Sequence, residues 1–411
     1  MYVSYTVKDR FIKMTANKDI SKLGICTQLT LVGRNPELQH GFVNPPLYKG
    51  STVIHTTLDG LENKREKFFY GTAGTPSIEN LENAWTHLTG AAGTLLSPSG
   101  LGSIALVLLS VVKAGDHILI SDSVYQPTRH LCDGLLAKFK VTTEYYDPLI
   151  GVGIERLIRP NTSLIFLESP GSQTMEVQDV PGIAKVAKKH GVKTALDNTW
   201  ATPLFFKGHA YGVDIIIEAG TKYVGGHSDL LLGLTSANAE SFPALRDTYE
   251  ALSMLPGAED CLAALKGLRY LKLRVKEAER KALFLAKWLK SRPEVLKVLH
   301  PALEDCPGHE YWARYFEGST GVFTILLREG YSRKNFEAML EKTSVFKLGL
   351  SWGSYESLLT SVNPVSYRTA TVWDHKGYAV RLQVGMEDQD DLQRDLELAL
   401  DRLSALPKSR L

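Results

Sequence analysis

The stretch "GVDIIIEAGTKYVGGHSD", residues 212–229, combines a predicted buried strand with a lysine that suggests a function. It begins with a β-branched run, which predicts a buried strand because such residues pack well within sheets. The strand leads into Lys222, although lysine is almost never fully buried without a partner. Gly225 and Gly226 follow and would let a bulky group approach the backbone. Lys222 is therefore a candidate functional residue.

Short apolar runs on both sides of this stretch alternate with helical patterns. The predicted strands include "GTLLS" (93–97), "SLIFLE" (163–168) and "KTALD" (193–197). The predicted helices include "LGSIALVLLSVVKAG" (101–115) and "VPGIAKVAKKHG" (180–191). This alternation predicts an α/β domain with a large, mostly parallel sheet that is covered on both faces.

The pattern divides the chain into three predicted parts. Residues 1–75 are irregular and read as an N-terminal arm, and residues 76–268 form the α/β domain. Residues 269–411 are predicted to form a smaller C-terminal α+β domain. One long helical stretch is expected over residues 259–290, across the boundary between these two domains.

Composition narrows the class of protein. The 411 residues are 44% hydrophobic and 22% charged with a net charge of +2, which is typical of a globular protein and gives no support for nucleic-acid binding. The N-terminus lacks the apolar core of a signal peptide, and no stretch is long enough to span a bilayer. The four cysteines are dispersed without a CxxC pair, so we expect free thiols, a cytoplasmic location and no compact metal site.

A candidate anion site lies in "SPSGLGSIAL", residues 97–106. Ser99, Gly100 and Leu101 follow a predicted strand and open a predicted helix, where free backbone N–H groups and the helix dipole favour an anion. The stretch matches neither a dinucleotide fingerprint nor a P-loop. Taken alone, it fits an ordinary tight strand-to-helix turn better than an anion site.

A candidate buried carboxylate lies in "TALDNTWATP", residues 194–203. Asp197 ends an apolar strand, and ligands of open α/β sheets bind at the carboxyl ends of the strands. Asp197 could therefore hold a cationic nitrogen, or it could cap the following helix.

Together, the anion site, Asp197 and Lys222 match what pyridoxal 5'-phosphate (PLP) requires. Its phosphate needs backbone donors, its ring nitrogen needs a carboxylate, and its aldehyde needs a lysine that forms an imine. Thr221 offers the phosphate a hydroxyl next to that lysine. An exposed lysine with no role remains the alternative for Lys222 alone, but the combination favours the cofactor.

The chain resembles the Cys/Met-metabolism family of PLP enzymes from about Thr27 to the C-terminus. The matching stretches are "YGTAGTPS" (70–77), "SDSVYQPT" (121–128), "FLESPGSQTMEVQDVP" (166–181), "DNTWATPLFF" (197–206), "TKYVGGHSD" (221–229), "SWGSYESL" (351–358) and "VRLQVGMED" (380–388). The resemblance implies a PLP-dependent transferase-like fold of type I. It also implies a homotetramer, a dimer of dimers, whose active sites are completed across the tight dimer interface.

The resemblance further implies a role for individual residues. Lys222 would form the imine and move the Cα proton, and Tyr125 would stack on the cofactor ring and aid proton transfer. The remaining implied cofactor contacts are Asp197 to the ring nitrogen, and Gly100, Leu101, Thr221 and the neighbouring subunit's Tyr70 to the phosphate. Arg381 would bind the α-carboxylate of a small amino-acid substrate, in a pocket lined by Ser351 and Trp352.

The branch of the family that the chain resembles most carries out β-elimination on L-cystathionine, which releases homocysteine, pyruvate and ammonia in methionine biosynthesis. Ser172 in "SPGSQ" and the Ser351–Trp352 pair favour this reaction. Leu350, before that pair, disfavours γ-chemistry but leaves the distal substrate contact open. The alternatives are a broader cysteine-conjugate or cystine β-lyase, a γ-lyase, or a regulatory partner-binding protein on the same fold.

The chain departs from the family pattern at Thr72, where an arginine usually contacts the phosphate. We expect a weaker electrostatic hold on the phosphate unless Lys64, Arg65 or Lys67 compensates.

Overall fold

The computed structural model of the chain describes residues 20–63 and 65–405. The helices are α1 (Ile25–Leu31), α2 (Leu58–Glu62), α3 (Pro76–Thr89), α4 (Gly100–Val111), α5 (Gln126–His130), α6 (Val180–Lys189), α7 (Thr202–Phe205), α8 (Phe242–Leu252), α9 (Ala258–Leu268), α10 (Leu271–Lys290), α11 (His309–Tyr315), α12 (Arg333–Leu340) and α13 (Gln389–Ala405). The strands are β1 (Gly93–Ser97), β2 (His117–Ser121), β3 (Thr142–Tyr146), β4 (Thr162–Glu168), β5 (Lys193–Asp197), β6 (Ile215–Ala219), β7 (Gly233–Ala237), β8 (Val295–Leu299), β9 (Val322–Leu327), β10 (Lys347–Leu348), β11 (Leu358–Val362) and β12 (Ala379–Gln383).

The large domain is built on a seven-stranded sheet in the order β1-β7-β6-β5-β4-β2-β3. The pairs from β6 through β5, β4 and β2 to β3 are parallel, whereas β7 runs antiparallel to both β6 and β1. The expected large, mostly parallel sheet is confirmed.

This sheet is buried on both faces. Along β4, Leu164 and Phe166 pack into one hydrophobic cluster, whereas Ile165 and Leu167 pack into the cluster on the other face. Successive side chains of a strand point to opposite faces, so a strand with both faces covered reads as a continuous apolar run. This explains why the runs in the sequence lack polar alternation.

The smaller domain has a five-stranded sheet in the order β10-β11-β12-β9-β8. Its core is separate from the other two clusters, and α10 contributes to both domains. Leu271 and Val275 of α10 pack into the large domain, whereas Leu285 and Leu289 pack into the small one. The α+β character expected for the C-terminal part is confirmed, while the two predicted boundaries between the three parts stay predictions.

The long helical stretch expected over residues 259–290 is wrong in one respect, because it is two helices. α9 ends at Leu268 and α10 begins at Leu271. The amides of Arg269 and Tyr270 bond to carbonyls three residues back, which tightens the chain between the helices. Apolar periodicity continues through the break, so the pattern alone does not reveal it.

No helix within residues 20–63 and 65–405 is long and apolar enough to cross a membrane.

Candidate active site

A cavity of about 220 Å³ lies at the carboxyl ends of the parallel strands, between the two domains. Carboxyl ends of neighbouring parallel strands meet at one edge of the sheet, which brings β4, β5 and β6 to the same place. Of the residues singled out in the sequence, the following line the cavity: Gly100, Leu101, Tyr125, Ser172, Asp197, Thr221, Lys222, Leu350, Trp352 and Arg381. Ser351 contacts Lys222, and Tyr70 does not line the cavity.

Lys222 lies three residues beyond β6, and its amine enters the cavity. Its Nζ donates a hydrogen bond of 2.8 Å to Ser351 Oγ and lies 5.4 Å from the centre of the Trp352 ring. Burial lowers the pKa of Lys222 to about 8, and the positive charge of Arg381 acts in the same direction. Roughly a tenth of the amine is therefore uncharged at pH 7, far more than for an ordinary lysine, and the neutral form is the nucleophile.

The small domain approaches Lys222 very closely at Gly353. Gly353 has a φ of +90°, and a Cβ added there would lie 2.9 to 3.0 Å from backbone atoms of Lys222. Only glycine combines this backbone conformation with so close an approach. The segment that carries Ser351 and Trp352 is thereby held against the lysine.

Asp197 ends β5 and points into the same cavity. Thr199 donates to Asp197 Oδ1 from its backbone N at 3.0 Å and from its Oγ1 at 2.5 Å. Burial raises the pKa of this carboxyl, whereas the Thr199 donors and the charge of Lys222 oppose the rise. Asp197 does not cap α7, whose N-cap is Ala201, so the helix-capping alternative is wrong.

The candidate anion site lies at the start of α4. Ser99 is the N-cap and its Oγ accepts from the amide of Gly102 at 3.0 Å. The amides of Gly100 and Leu101 begin the helix and so have no intrahelical acceptor. A Cβ added at Gly100 would lie 2.7 Å from the Ala219 Cβ, so glycine lets this helix start approach β6. Thr221 lines the same cavity as this helix start.

Tyr125 is the N-cap residue of α5 and is 44% exposed, so it is not a core aromatic. Its ring borders the cavity, and its backbone N donates at 2.7 Å to Glu168 Oε2. Burial raises the pKa of the phenol, and the adjacent carboxyls of Glu168 and Asp197 act in the same direction.

Arg381 lies in β12 and is only 8% exposed, so it is not a surface residue. Its Nη2 donates to the carbonyl of Leu350 at 2.7 Å, and burial lowers its pKa to about 10. Within the described part of the chain, Arg381 forms no ion pair with a carboxylate, so its buried guanidinium at the cavity wall suits the carboxylate of a ligand.

Tyr70 lies on the arm outside the cavity, is 43% exposed and forms an isolated bridge with Thr52. Thr72 follows in a short 3-10 turn, Gly71–Ala73. Arg65 pairs with Asp59 and Lys67 pairs with Glu79, each at 2.5 Å, while Lys64 lies outside the described residues. The contact expected from the neighbouring subunit's Tyr70 therefore stays a prediction.

Sequence reasoning missed several residues of the cavity wall, namely Glu168, Thr199, Trp200, Leu231 and Val322. Glu168 carries the same signal that singled out Asp197, since it is a carboxylate that ends an apolar strand. Leu231 and Val322 carry no such signal because only the tertiary fold brings them to the cavity.

The residues present fit PLP. A helix start offers amides to a phosphate, and a lysine of lowered pKa borders the same cavity. The cavity also receives the partly buried Asp197 carboxyl, which has no hydrogen-bonded cation among residues 20–63 and 65–405. These are the three kinds of group that the cofactor requires.

The comparisons agree with this donor set. The model of the Cys/Met metabolism PLP-dependent enzyme family matches residues 26–401. A Saccharomyces cerevisiae protein provisionally named cystathionine beta-lyase is 66% identical over 340 residues, which cover 83% of this chain and 100% of that protein. The Escherichia coli protein "Cystathionine beta-lyase MetC" is 36% identical over 92% of this chain and 98% of its own length.

Solved structures resemble the chain over almost its full length. The crystal structure of cystathionine gamma synthase from Xanthomonas oryzae pv. oryzae, in complex with aminoacrylate and cysteine, has a TM-score of 0.85 and 27% identity. The similarity covers 93% of this chain and 99% of that one, so the type I fold expected from the sequence is confirmed.

Proposed function

Because the chain belongs to the Cys/Met metabolism PLP-dependent enzyme family, we propose that it is a cystathionine β-lyase, a PLP-dependent carbon–sulfur lyase. It would cleave L-cystathionine by β-elimination to homocysteine, pyruvate and ammonia. The observation that carries the proposal is the convergence of Lys222, Asp197 and Arg381 on one cavity. These side chains are an amine of lowered pKa, a partly buried carboxylate and a buried guanidinium.

Arg381 orients the substrate in this proposal. Its guanidinium binds the α-carboxylate, and a fork of fixed geometry holds a carboxylate through two parallel hydrogen bonds. This places the substrate Cα toward Lys222, since both side chains border the same cavity.

Lys222 moves the proton. When bound, PLP stores the electrons that remain after the Cα proton is removed. The Nζ of Lys222 is the base for that proton, because its lowered pKa leaves the amine partly neutral. The Ser351 hydroxyl, 2.8 Å away, fixes the amine in place.

Asp197 and the start of α4 hold the cofactor in this scheme. The Asp197 carboxylate, oriented by two donors from Thr199, balances a positive charge on the ring nitrogen. The amides of Gly100 and Leu101 and the Thr221 hydroxyl bind the phosphate. Tyr125 covers the ring and lends its phenol to proton transfer.

The first experiment is product identification. We would incubate the cofactor-loaded enzyme with L-cystathionine and separate the keto acids. Pyruvate with homocysteine supports the proposal. 2-Oxobutyrate with cysteine means γ-elimination and overturns the use of Ser172, Leu350 and the Ser351–Trp352 pair as signs of β-chemistry.

A second candidate is a broader cysteine-conjugate β-lyase, and the mouth of the cavity favours it. Leu350 and Leu231 border the cavity and are 87% and 63% exposed. Among the described lining residues, the cationic side chains are Lys222 and Arg381, so the distal amino-acid half of cystathionine has no second guanidinium. A higher kcat/KM for an S-alkyl cysteine than for L-cystathionine would establish this candidate.

The assembly and setting proposed are a homotetramer with shared active sites, in the cytoplasm, within methionine biosynthesis. The arm exposes large apolar side chains, among them Phe42, Val43 and Ile54, which a neighbouring subunit would cover. All four cysteines are free, as suits a reducing compartment.

A further inference from the structure

Glu168 is a buried carboxyl in the cavity wall to which the proposed reaction assigns no task. It ends β4, is 8% exposed, and lies in register beside Asp197 at the end of β5. Burying a carboxyl is costly unless it is paired or hydrogen-bonded, so its position calls for a physical explanation.

Glu168 contacts the backbone that carries Tyr125, and it also accepts a hydrogen bond from the Ser172 side chain. Its Oε2 accepts from the Tyr125 amide at 2.7 Å, at the turn where β2 passes into α5. Tyr125 is the N-cap residue of α5, so its backbone N–H has no acceptor within the helix. The Glu168 carboxyl supplies that acceptor. The contact spans 43 residues of sequence and fixes the turn to the neighbouring strand.

The two adjacent carboxyls differ in their surroundings. One oxygen of Asp197 accepts two hydrogen bonds, and the positive charge of Lys222 acts to lower the pKa of this carboxyl. Glu168 forms no ion pair within the described residues, and Arg381 acts on it only from a distance. Burial, and then the charge of Asp197, raise the pKa of Glu168 well above its usual range. Burial and the neighbouring charge of Asp197 therefore favour the protonated form of Glu168.

We propose that Glu168 is a positioning residue that acts through Tyr125, holding its phenol over the cavity while remaining uncharged beside Asp197. This inference rests on the proposed function, because it gives Tyr125 its place against the cofactor. A neutral acid suits the site, since a second negative charge there would compete with Asp197 for the cation that Asp197 binds.

The first test compares Glu168→Gln with Glu168→Leu. The glutamine keeps a neutral acceptor for the Tyr125 amide, so kcat and the dissociation constant for PLP should stay within about threefold of wild type. The leucine removes the acceptor, and an unsatisfied buried amide corresponds to a loss of about 5- to 150-fold, seen in kcat or in the dissociation constant for PLP. Equal losses in both variants, or no loss in either, would overturn the proposal.

The pH profile separates positioning from a charged role. The ionisable groups around Glu168 are Asp197 on β5, Tyr125 before α5, Arg381 on β12, and Tyr367 in the connection between β11 and β12. If Glu168 is uncharged, Glu168→Gln leaves the pH profile of kcat/KM and the pH dependence of the bound cofactor's absorbance unchanged. A shift in either profile would mean that Glu168 is ionised, contrary to the proposal.

A double-mutant cycle tests whether the effect passes through Tyr125. We expect Glu168→Leu to raise the dissociation constant for PLP strongly in the wild-type background and less than about threefold in a Tyr125→Ala background. Equal effects in both backgrounds would contradict action through Tyr125.

Glu218 provides a matched control. It is a buried carboxyl at the end of β6 that bonds to Asn198 at 3.0 Å and does not line the cavity. Glu218→Leu should lower the melting temperature about as much as Glu168→Leu without changing the visible circular dichroism of the bound cofactor. PLP binding and its spectrum do not depend on the substrate, so these readouts decide the inference even if wild type forms no pyruvate, a result that would overturn only the proposed function.

Discussion

At the scale of single residues, Lys222 is the side chain that we expect to matter most for turnover. Replacing it by alanine should lower steady-state pyruvate formation more than about 10³-fold, because one amine both attaches the cofactor and moves the proton. A coupled lactate dehydrogenase assay measures the loss. Lys185→Ala, at an exposed position on α6, is the control and should keep full activity. Measurable turnover by the Lys222 variant would contradict the assignment.

The lowered pKa of Lys222 predicts how cofactor capture depends on pH. Only the neutral amine attacks the aldehyde, and the neutral fraction grows as pH rises through the pKa of about 8. Stopped-flow absorbance of the cofactor-free protein mixed with PLP should therefore show a rate that rises with a midpoint near pH 8 and levels off about one pH unit above it. A midpoint near 10.5, the ordinary value for lysine, would mean that the amine is not desolvated.

At this scale the sequence reveals functional residues where a charged side chain stands in a stretch that is otherwise predicted to be buried. Lys222 and Asp197 could be found because a charged group at the end of an apolar strand needs a reason to be there. The burial of Arg381 could not be found, since a single arginine in a strand pattern fits either face. Leu231 could not be found either, because an ordinary apolar residue gives no sign of lining a cavity.

At the scale of elements, the start of α4 allows helix capping to be separated from phosphate binding. Ser99→Asp keeps a side-chain acceptor for the Gly102 amide but places a negative charge where the phosphate binds. The cofactor-free variant should unfold within about 0.5 kcal/mol of wild type. Its dissociation constant for PLP should rise at least about tenfold, which corresponds to an electrostatic repulsion of about 1.4 kcal/mol.

Ser99→Ala is the companion variant. It removes the cap and should lower the free energy of unfolding by about 1 kcal/mol, with a smaller effect on PLP binding than the aspartate. Urea denaturation and fluorescence titration measure the two quantities. Tight PLP binding by Ser99→Asp would mean that the phosphate does not lie at this helix start.

The strand and helix succession of the large domain follows from period and composition, because each strand is a short apolar run between turn signals. The connections between these helices and strands cannot be predicted from the apolar pattern alone. The break between α9 and α10 lies beside Gly267, where an added Cβ would lie 2.2 Å from the Val224 carbonyl oxygen. That contact with the turn after Lys222 is tertiary, so a local pattern cannot report it.

At the scale of the whole molecule, the proposed sharing of active sites can be tested by mixing two inactive variants. Tyr70→Ala would damage the neighbouring site, whereas Lys222→Ala damages its own. In a mixed dimer one site would receive an intact Lys222 and an intact Tyr70. Refolding an equal mixture should therefore restore about a quarter of wild-type activity, because half of random dimers are mixed and each has one intact site.

The control for this experiment is each variant refolded alone, which should stay inactive. Activity in the mixture no higher than the mean of the two variants would show that Tyr70 does not serve a neighbouring site. Sequence could suggest this arrangement only through resemblance, since one chain places Tyr70 outside its own cavity. The three-part division into residues 1–75, 76–268 and 269–411 likewise stays a prediction.

The approach of Gly353 to the backbone of Lys222 has a consequence for the order of events during biosynthesis. The two residues are far apart in sequence, and domains fold as units from the N-terminus while the chain is being made. Lys222 leaves the ribosome well before the segment that buries it. Until residues 351–353 have emerged and docked, its amine faces water and keeps ordinary lysine reactivity. The enzyme thus acquires its reactive lysine only after residues 351–353 have been made and have docked, and a chain that terminates before them has none.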